Sequence, residues 1–116
     1  MAKGYLWNGK ELKTVEYDDH HDINNLLESR TFTGVTFNKK LYAFVDDEGL
    51  LIDQPIKGLW YIEGQFIQPL AGNILFTKHN SVGESIDVTE EQKEIIDNMK
   101  RVNDKLIINV NKMEDM

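Results

Sequence analysis

The sequence predicts an α+β fold with a mostly antiparallel sheet, one short helix near the N-terminus and one long C-terminal helix. Short runs of β-branched and aromatic residues alternate with turn dipeptides, of which Asn8-Gly9 is the clearest. An acidic segment beginning at Asp18 precedes an apolar stripe with helical spacing. Thr89 precedes Gln92 by three residues, which is the capping-box spacing at the start of a helix.

The N-terminal third predicts a hairpin followed by a short helix. Residues 5–17 should form the hairpin, because Asn8-Gly9 suits a type I′ turn, in which both central positions take a positive φ. Residues 20–29 should form the helix, because an aspartate can cap its first amide groups and apolar residues recur along one face. Those apolar residues are Ile23, Leu26 and Leu27.

The middle of the chain predicts strands and one irregular segment. Residues 32–37 and 41–45 are rich in β-branched and aromatic side chains, and the short polar link between them fits a hairpin. A short strand is expected at 50–52. Segment 56–70 is expected to be a loop that covers the core, because glycines and Pro69 interrupt its apolar residues without a clear period.

The C-terminal third predicts one buried strand and the long helix. The strand lies at 74–77 and is followed by polar residues typical of an exposed loop. The helix should run from about Glu90 to at least Leu106, with acidic residues near its start, basic residues further along and one apolar face. That face consists of Ile95, Met99, Val102 and Leu106.

Residues 107–116 leave three interpretations open. If the helix continues to Met113, the apolar spacing approximates a heptad, and two copies could form a homo-oligomer through the C-terminal helix. The segment could also be a flexible tail, or it could add a strand, because it contains β-branched residues. Those residues are Ile107, Ile108 and Val110.

Composition narrows the classes of function. A chain of 116 residues is expected to form one domain, spanning residues 1–116, in the cytoplasm, since it has no cysteine and no signal peptide or membrane-spanning run. The formal net charge of −7 disfavours direct binding to nucleic acid or to an anionic membrane and favours a partner with a basic surface.

Reactive groups do not converge in the sequence, so we expect no enzyme, no cofactor, no metal site and no catalytic residue. Histidines and carboxylates cluster at 18–22, but consecutive helical side chains diverge by about 100° and rarely bind one ion. His79 is not paired with a nucleophile by any sequence rule. The glycines form neither a P-loop nor a dinucleotide-binding motif.

The order of five segments resembles a family of small proteins encoded by bacteriophages and other mobile elements, which is known only as a domain of unknown function. The segments are ELKTVEY, DINNLLESRTFTGVTF, VDDEGLLIDQP, AGNILFT and SIDVTEEQ, and the resemblance covers roughly residues 11–96. The family often has a Leu-Pro-x-Asn segment after the leucines, whereas this chain has Gln54-Pro55-Ile56-Lys57. The resemblance implies a phage or mobile-element origin and an α+β fold, and it supplies no catalytic residue.

Acidic residues in two groups suggest the first hypothesis of function. They could form solvated faces, or they could imitate a phosphate track and bind the basic groove of a host nucleic-acid enzyme. In the second case the protein would inhibit or redirect a host macromolecule, such as an enzyme of host defence. The candidate partner-binding residues are Asp18, Asp19, Asp22, Glu84, Asp87, Glu90, Glu91 and Glu94.

An alternative hypothesis is an oligomeric protein that sequesters a small nucleotide-like signalling molecule. Its pocket would lie between subunits near the irregular segment 56–70, where aromatic and basic residues occur together. The candidate pocket residues are Trp60, Tyr61, Lys57, Lys78 and Arg30.

Overall fold

In the computed structural model, which describes residues 1–111, two β-sheets and two eight-residue helices share the core. The elements are β1 Ala2–Trp7, β2 Leu12–Tyr17, α1 His20–Leu27, β3 Phe32–Asn38, β4 Leu41–Asp46, β5 Ile56–Ile62, β6 Gln65–Ala71, β7 Ile74–His79, β8 Ser85–Ile86, α2 Glu90–Asp97, β9 Arg101–Val102 and β10 Lys105–Val110. No helix within this range is long and apolar enough to cross a membrane.

The first sheet has the strand order β2-β1-β7-β4-β3, and β8 extends it beside β7. All of its strand pairs are antiparallel. The second sheet has the order β6-β5-β10-β9. In that sheet β10 runs parallel to β5, while the other two pairs are antiparallel.

Strand β7 separates the core into two clusters, because successive side chains of a strand point to opposite faces. Ile74 and Phe76 point between the two sheets, where Ile96 of α2 also packs. Leu75 points to the other face, where Leu27 of α1 covers it. The two helices therefore lie on opposite faces of the first sheet.

Both predicted hairpins of the N-terminal half are confirmed, and α1 lies within the predicted helix. The first turn differs in detail from the predicted type I′ turn. Gly9 has a φ of 95°, and no positive φ occurs at Asn8. Asn8 Oδ1 instead accepts hydrogen bonds from the N–H groups of Lys10 and Glu11 at 2.9 and 3.0 Å. The turn is thus stabilised by the Asn8 side chain and not by a left-handed Asn8 backbone.

The predicted long C-terminal helix is wrong, and with it the predicted fold class. Helix α2 ends at Asp97, the chain turns through Asn103 at a φ of 61°, and β10 joins the second sheet. The alternate residues Leu106, Ile108 and Val110 are buried, which is the period of a strand. Packing of β10 against β5 buries these side chains and outweighs the helical spacing of the predicted apolar stripe. Val102, which belongs to that stripe, is 43% exposed.

The end of the helix also removes the predicted means of oligomerisation. Met99 and Leu106 do not lie on one continuous helix, so the stripe forms no heptad surface. Of the open interpretations of residues 107–116, the structure confirms an added strand as far as Val110. Met113 lies outside the described residues.

The prediction of a covering loop at 56–70 is wrong. This segment forms the hairpin of β5 and β6. Its turn has positive φ values of 50° at Glu63 and 82° at Gly64, which is the pattern of a type I′ turn. The hairpin contains two register shifts, and each one breaks the alternation of apolar residues. This is why the sequence has no clear strand period there. The strand predicted at 50–52 is also wrong, because those residues form turns.

Candidate functional site

An open cleft lies at one end of the first sheet, where the β3–β4 turn, the end of β7 and the β7–β8 loop meet. Its volume is about 490 Å³. The hairpin turn contributes Lys39 and Lys40, β7 contributes Lys78 and His79, and Tyr42 of β4 lies beside them. A basic rim and an aromatic wall therefore occur together in a chain whose formal net charge is −7.

The lysines of the rim differ in their contacts. Lys40 Nζ lies 3.5 Å from Glu91 Oε2, but both side chains are more than 60% exposed, so water and salt weaken this pair. Lys78 is half-buried, and its side chain makes no ion pair or hydrogen bond within residues 1–111. Its ammonium group can therefore bind a ligand in the cleft without breaking a contact of the chain.

The aromatic wall is formed by His79 and Tyr42, and the ring of Phe44, which does not line the cleft, packs against both. The ring centroid of Tyr42 lies 4.9 Å from that of His79, and that of Phe44 lies 5.8 Å away, both nearly perpendicular to the imidazole. Burial lowers the pKa of His79 from its ordinary value. The imidazole is therefore mostly neutral at pH 7 and offers one nitrogen as a donor and the other as an acceptor.

Two amide side chains hold the hairpin turn in place beneath the rim. Asn38 Oδ1 accepts hydrogen bonds from the N–H groups of Lys40 and Leu41 at 2.8 and 2.9 Å. Gln92 Nε2 donates to the Lys40 carbonyl oxygen at 2.9 Å. Gln92 Oε1 accepts from the Thr89 N–H at 2.9 Å, which completes the predicted capping box. The start of α2 therefore positions the rim of the cleft.

The Thr77 hydroxyl contributes a poorly satisfied polar group to the cleft wall. Thr77 is 1% exposed, and its Oγ1 has no hydrogen-bond partner with good geometry within residues 1–111. The same holds for the nearby Tyr17 hydroxyl. Burial raises the pKa of Tyr17, and the Ser85 and Thr77 hydroxyls oppose that rise. The two groups are near each other without forming a well-aligned hydrogen bond.

The predicted ligand residues do not form one pocket within a single chain. Only Lys78 lines the cleft. Lys57 Nζ donates to Asn73 Oδ1 at 2.8 Å at the opposite end of β7, and Arg30 pairs with Glu48 at 3.2 Å. The remaining two are aromatic: Trp60 packs edge-on against Phe37, and Tyr61 packs against Phe66.

The predicted acidic residues also separate into two groups. Asp18, Asp19 and Asp22 lie at the start of α1, on one face of the first sheet, whereas Glu90, Glu91 and Glu94 lie on α2, which packs on the other face. A single flat phosphate-like track on one face therefore does not include both groups.

Several of these carboxylates already bind groups of their own chain. Asp19 caps α1, and the amides of Asp22 and His21 hold its pKa below the ordinary value. Asp22 Oδ2 accepts from the Asp18 N–H at 2.8 Å, and Asp87 Oδ1 accepts from the Lys3 N–H at 2.9 Å. These contacts explain the positions of these carboxylates through hydrogen bonds within the fold.

The other carboxylates of the set are more exposed. Glu84 Oε1 accepts from Asn80 Nδ2 at 3.0 Å, and Glu90 lies 3.7 Å from Lys93. Asp18 and Glu94 make no side-chain hydrogen bond or ion pair within residues 1–111. No group of three or more His, Asp or Glu side chains in that range is arranged to hold a metal ion.

Sequence reasoning missed Lys39, Lys40 and Tyr42 as site residues. The available signal is the Lys39-Lys40 pair in a hairpin link of an acidic chain, which by itself predicts only a polar connection. The approach of this link to Lys78 depends on the pairing of β4 with β7. That pairing joins segments distant in sequence, so local patterns do not reveal it.

Comparison with known proteins shows the family. Residues 5–105 match a family model described as a domain of unknown function, DUF3846, and the chain belongs to that family. This match includes the predicted range 11–96 and extends beyond it at both ends. No curated protein and no solved structure matches the chain.

Proposed function

We propose that the protein acts by binding and that its cleft holds a small nucleotide-like anion. The observation that carries this proposal is that the unpaired Lys78 and the aromatic rings of Tyr42 and His79 line one cleft, with Lys78 on one face of the sheet and the two rings on the other. A phosphate group would bind the lysines as a charge-assisted hydrogen-bond acceptor. A planar base would lie against the aromatic side chains, which stack bases of any sequence.

The size and polarity of the cleft support a ligand of this class. Its volume of about 490 Å³ lies in the range of small-molecule sites. The neutral imidazole of His79 provides a donor and an acceptor that can bind a ligand without adding negative charge. The basic rim also attracts anions that the acidic remainder of the surface repels.

Titration calorimetry with nucleoside mono-, di- and triphosphates and cyclic nucleotides tests this function. We expect at least one of them to bind, and Lys78→Gln to weaken binding by roughly 10- to 100-fold, as expected for a charged hydrogen bond. Lys10→Gln is the matched control, because Lys10 lies in the β1–β2 turn at the opposite end of the sheet. The proposal is contradicted if no compound binds, or if both variants weaken binding equally.

A second candidate is a phage or mobile-element protein that binds and inhibits a basic host macromolecule in the bacterial cytoplasm. The specific observation in its favour is the exposed acidic surface of α2, including Glu94, whose carboxylate has no partner within residues 1–111. The sequence resemblance described above supports the phage origin.

Affinity purification from bacterial cells, at low and high salt, tests this second candidate. A basic protein retained at low salt should be lost from the Glu90→Gln/Glu94→Gln variant and kept by Glu28→Gln, because the exposed Glu28 ends α1, which packs on the other face of the first sheet. Equal retention by both variants would show that the α2 carboxylates are not the binding surface.

A further inference from the structure

The edge strand β3 is less protected against pairing than the other sheet edges of the described chain. Strand β2 has exposed charged residues on its edge, β9 has only two residues, and β6 contains Pro69 and a register shift. Strand β3 has seven residues, Phe32–Asn38, with neither a charge nor a proline. Its one register shift lies between Thr36 and Asn38, at the turn end.

The backbone groups that β3 presents to solvent form a symmetric set. The Asp47 N–H donates to the Thr31 carbonyl oxygen at 3.2 Å, so Thr31 faces β4. Because facing alternates along an antiparallel ladder, the N–H and C=O groups of Phe32, Gly34 and Thr36 face away from β4. These outward groups are arranged symmetrically about Gly34, with Phe32 two residues before it and Thr36 two residues after it, so a two-fold axis at Gly34 can pair them with the same groups of a second copy.

We propose that β3 is a self-association surface, at which a second copy of this chain adds its own β3 in antiparallel orientation with Gly34 opposite Gly34. Phe32 then faces Thr36 of the second copy, and about six interchain hydrogen bonds form, two for each hydrogen-bonded pair. Thr33 faces Val35 of the second copy on the other face. The two sheets become one continuous sheet across the dimer.

Charge at the two ends of β3 favours a second copy over an unrelated strand. The turn end carries Lys39 and Lys40, whereas the opposite end has a net negative charge, because Asp47 and Glu48 lie there with Arg30, which pairs with Glu48. Antiparallel pairing brings the basic end of one copy to the acidic end of the other, and it does so twice. The uncharged centre of β3 limits the repulsion between two copies of net charge −7.

Exposed apolar residues beside β3 extend the same surface. Leu50 and Leu51 are 57% and 84% exposed, and they line a groove of about 370 Å³ together with Thr33 and Val35. A second strand placed at the edge would cover part of these leucines, whose burial is favourable. Hydrogen bonds, end charges and apolar area thus lead to the same partner.

The pairing also changes the ligand cleft. This consequence rests on the proposed function, whereas the evidence for the pairing is independent of it. Thr36 and Asn38 line the cleft at the end of β3. In the dimer the Arg30 end of the second copy lies beside them, so Arg30 and Lys78, which are separate in one chain, come to the same region. The site would then be completed between subunits.

Sedimentation equilibrium tests the pairing with two matched proline variants. The intact protein should have twice the monomer mass of 13.4 kDa. Thr36→Pro removes an outward N–H of β3 and should give a monomer. Thr14→Pro is the matched variant of the other edge, β2. The Asn8 N–H donates to the Glu11 carbonyl, so Glu11 faces β1, and by alternation the Thr14 N–H faces outward. That variant should remain a dimer. A monomeric intact protein, or equal dissociation of both variants, overturns the proposal.

Disulfide cross-linking tests the register without relying on a proline. The chain has no cysteine, so introduced thiols report only on each other. A non-hydrogen-bonded antiparallel pair places Cα atoms about 4.5 Å apart, within disulfide range. An oxidised mixture of Thr33→Cys and Val35→Cys proteins, unfolded and refolded together, should give cross-linked dimers at several times the yield of either variant alone. Equal yields, or none, would refute the Gly34-centred pairing.

Discussion

Replacing Gln92 by alanine should destabilise the protein more than removing the cap of the same helix. Gln92 is 7% exposed and makes two kinds of contact: Oε1 accepts from the Thr89 N–H, and Nε2 donates to the Lys40 carbonyl oxygen. The first contact belongs to α2 alone. The second joins α2 to the β3–β4 turn across 52 residues of sequence.

The magnitude follows from counting these contacts. Thr89→Ala removes the cap hydroxyl and should cost about 1 kcal/mol. Gln92→Ala removes two hydrogen bonds and leaves the Lys40 carbonyl without this donor, so we expect a cost of about 2–3 kcal/mol. Gln92→Glu keeps an acceptor for the Thr89 N–H but sets a carboxylate oxygen against the Lys40 carbonyl. It therefore isolates the long-range contact.

Urea unfolding followed by tryptophan fluorescence measures these costs, because Trp7 is buried in the core. All variants should be compared at one protein concentration, since self-association would add to the apparent stability. The reasoning is refuted if Gln92→Ala costs no more than Thr89→Ala, or if Gln92→Glu is neutral. Either result would mean that α2 does not support the cleft through Lys40.

Three further substitutions test single contacts. Burial lowers the pKa of His79 in the folded protein, so as the pH falls the unfolded chain binds a proton there first, and stability should fall below pH 6.5. His79→Gln should flatten this part of a profile of melting temperature against pH. An unchanged profile would contradict the buried imidazole. Burial and the hydrogen bond to Asp97 raise the pKa of Tyr5 to about 12, so its contribution should be complete below pH 10 and lost between pH 10 and 12. An alkaline loss that persists undiminished in Tyr5→Phe would contradict this. Lys57→Met should cost about 1–3 kcal/mol in urea unfolding, because it removes the Nζ donor to Asn73, which is only 4% exposed. Nucleotide affinity should stay intact, because this contact lies at the end of β7 away from the cleft. A neutral effect on stability would contradict the role of Lys57.

Local signals predicted the elements whose causes lie within a few residues. The Asn8-Gly9 turn, the aspartate cap of α1 and the Thr89–Gln92 capping box all involve near neighbours in sequence. The second sheet could not be predicted in this way. Strand β10 pairs with β5 from Leu106 opposite Gly58 onward, so its stability comes from segments nearly fifty residues apart.

The apolar spacing after Asp97 shows how such a contact overrides a local pattern. Met99 and Leu106 fit a helical stripe in the sequence, yet the chain leaves the helix at Asn98. The β-branched residues Ile107, Ile108 and Val110 gain more from packing against β5 than from extending α2. The candidate site has the same limitation: Lys78 could be chosen from sequence, but its neighbours Lys39 and Lys40 required the sheet order.

Charge segregation lets salt distinguish the proposals, because the cleft, the α2 surface and the β3 edge have different electrostatics. Nucleotide binding at Lys78 joins opposite charges in a half-exposed site, so added salt should weaken it. Binding of a basic protein to α2 should weaken in the same way. Pairing at β3 should change far less, since salt screens both the attraction at its ends and the repulsion between two copies of net charge −7. Mass and nucleotide affinity measured across one salt series should therefore diverge. If added salt dissociated the dimer in parallel with the loss of nucleotide, one electrostatic contact would govern both. The proposed pairing through the uncharged centre of β3 would then be wrong.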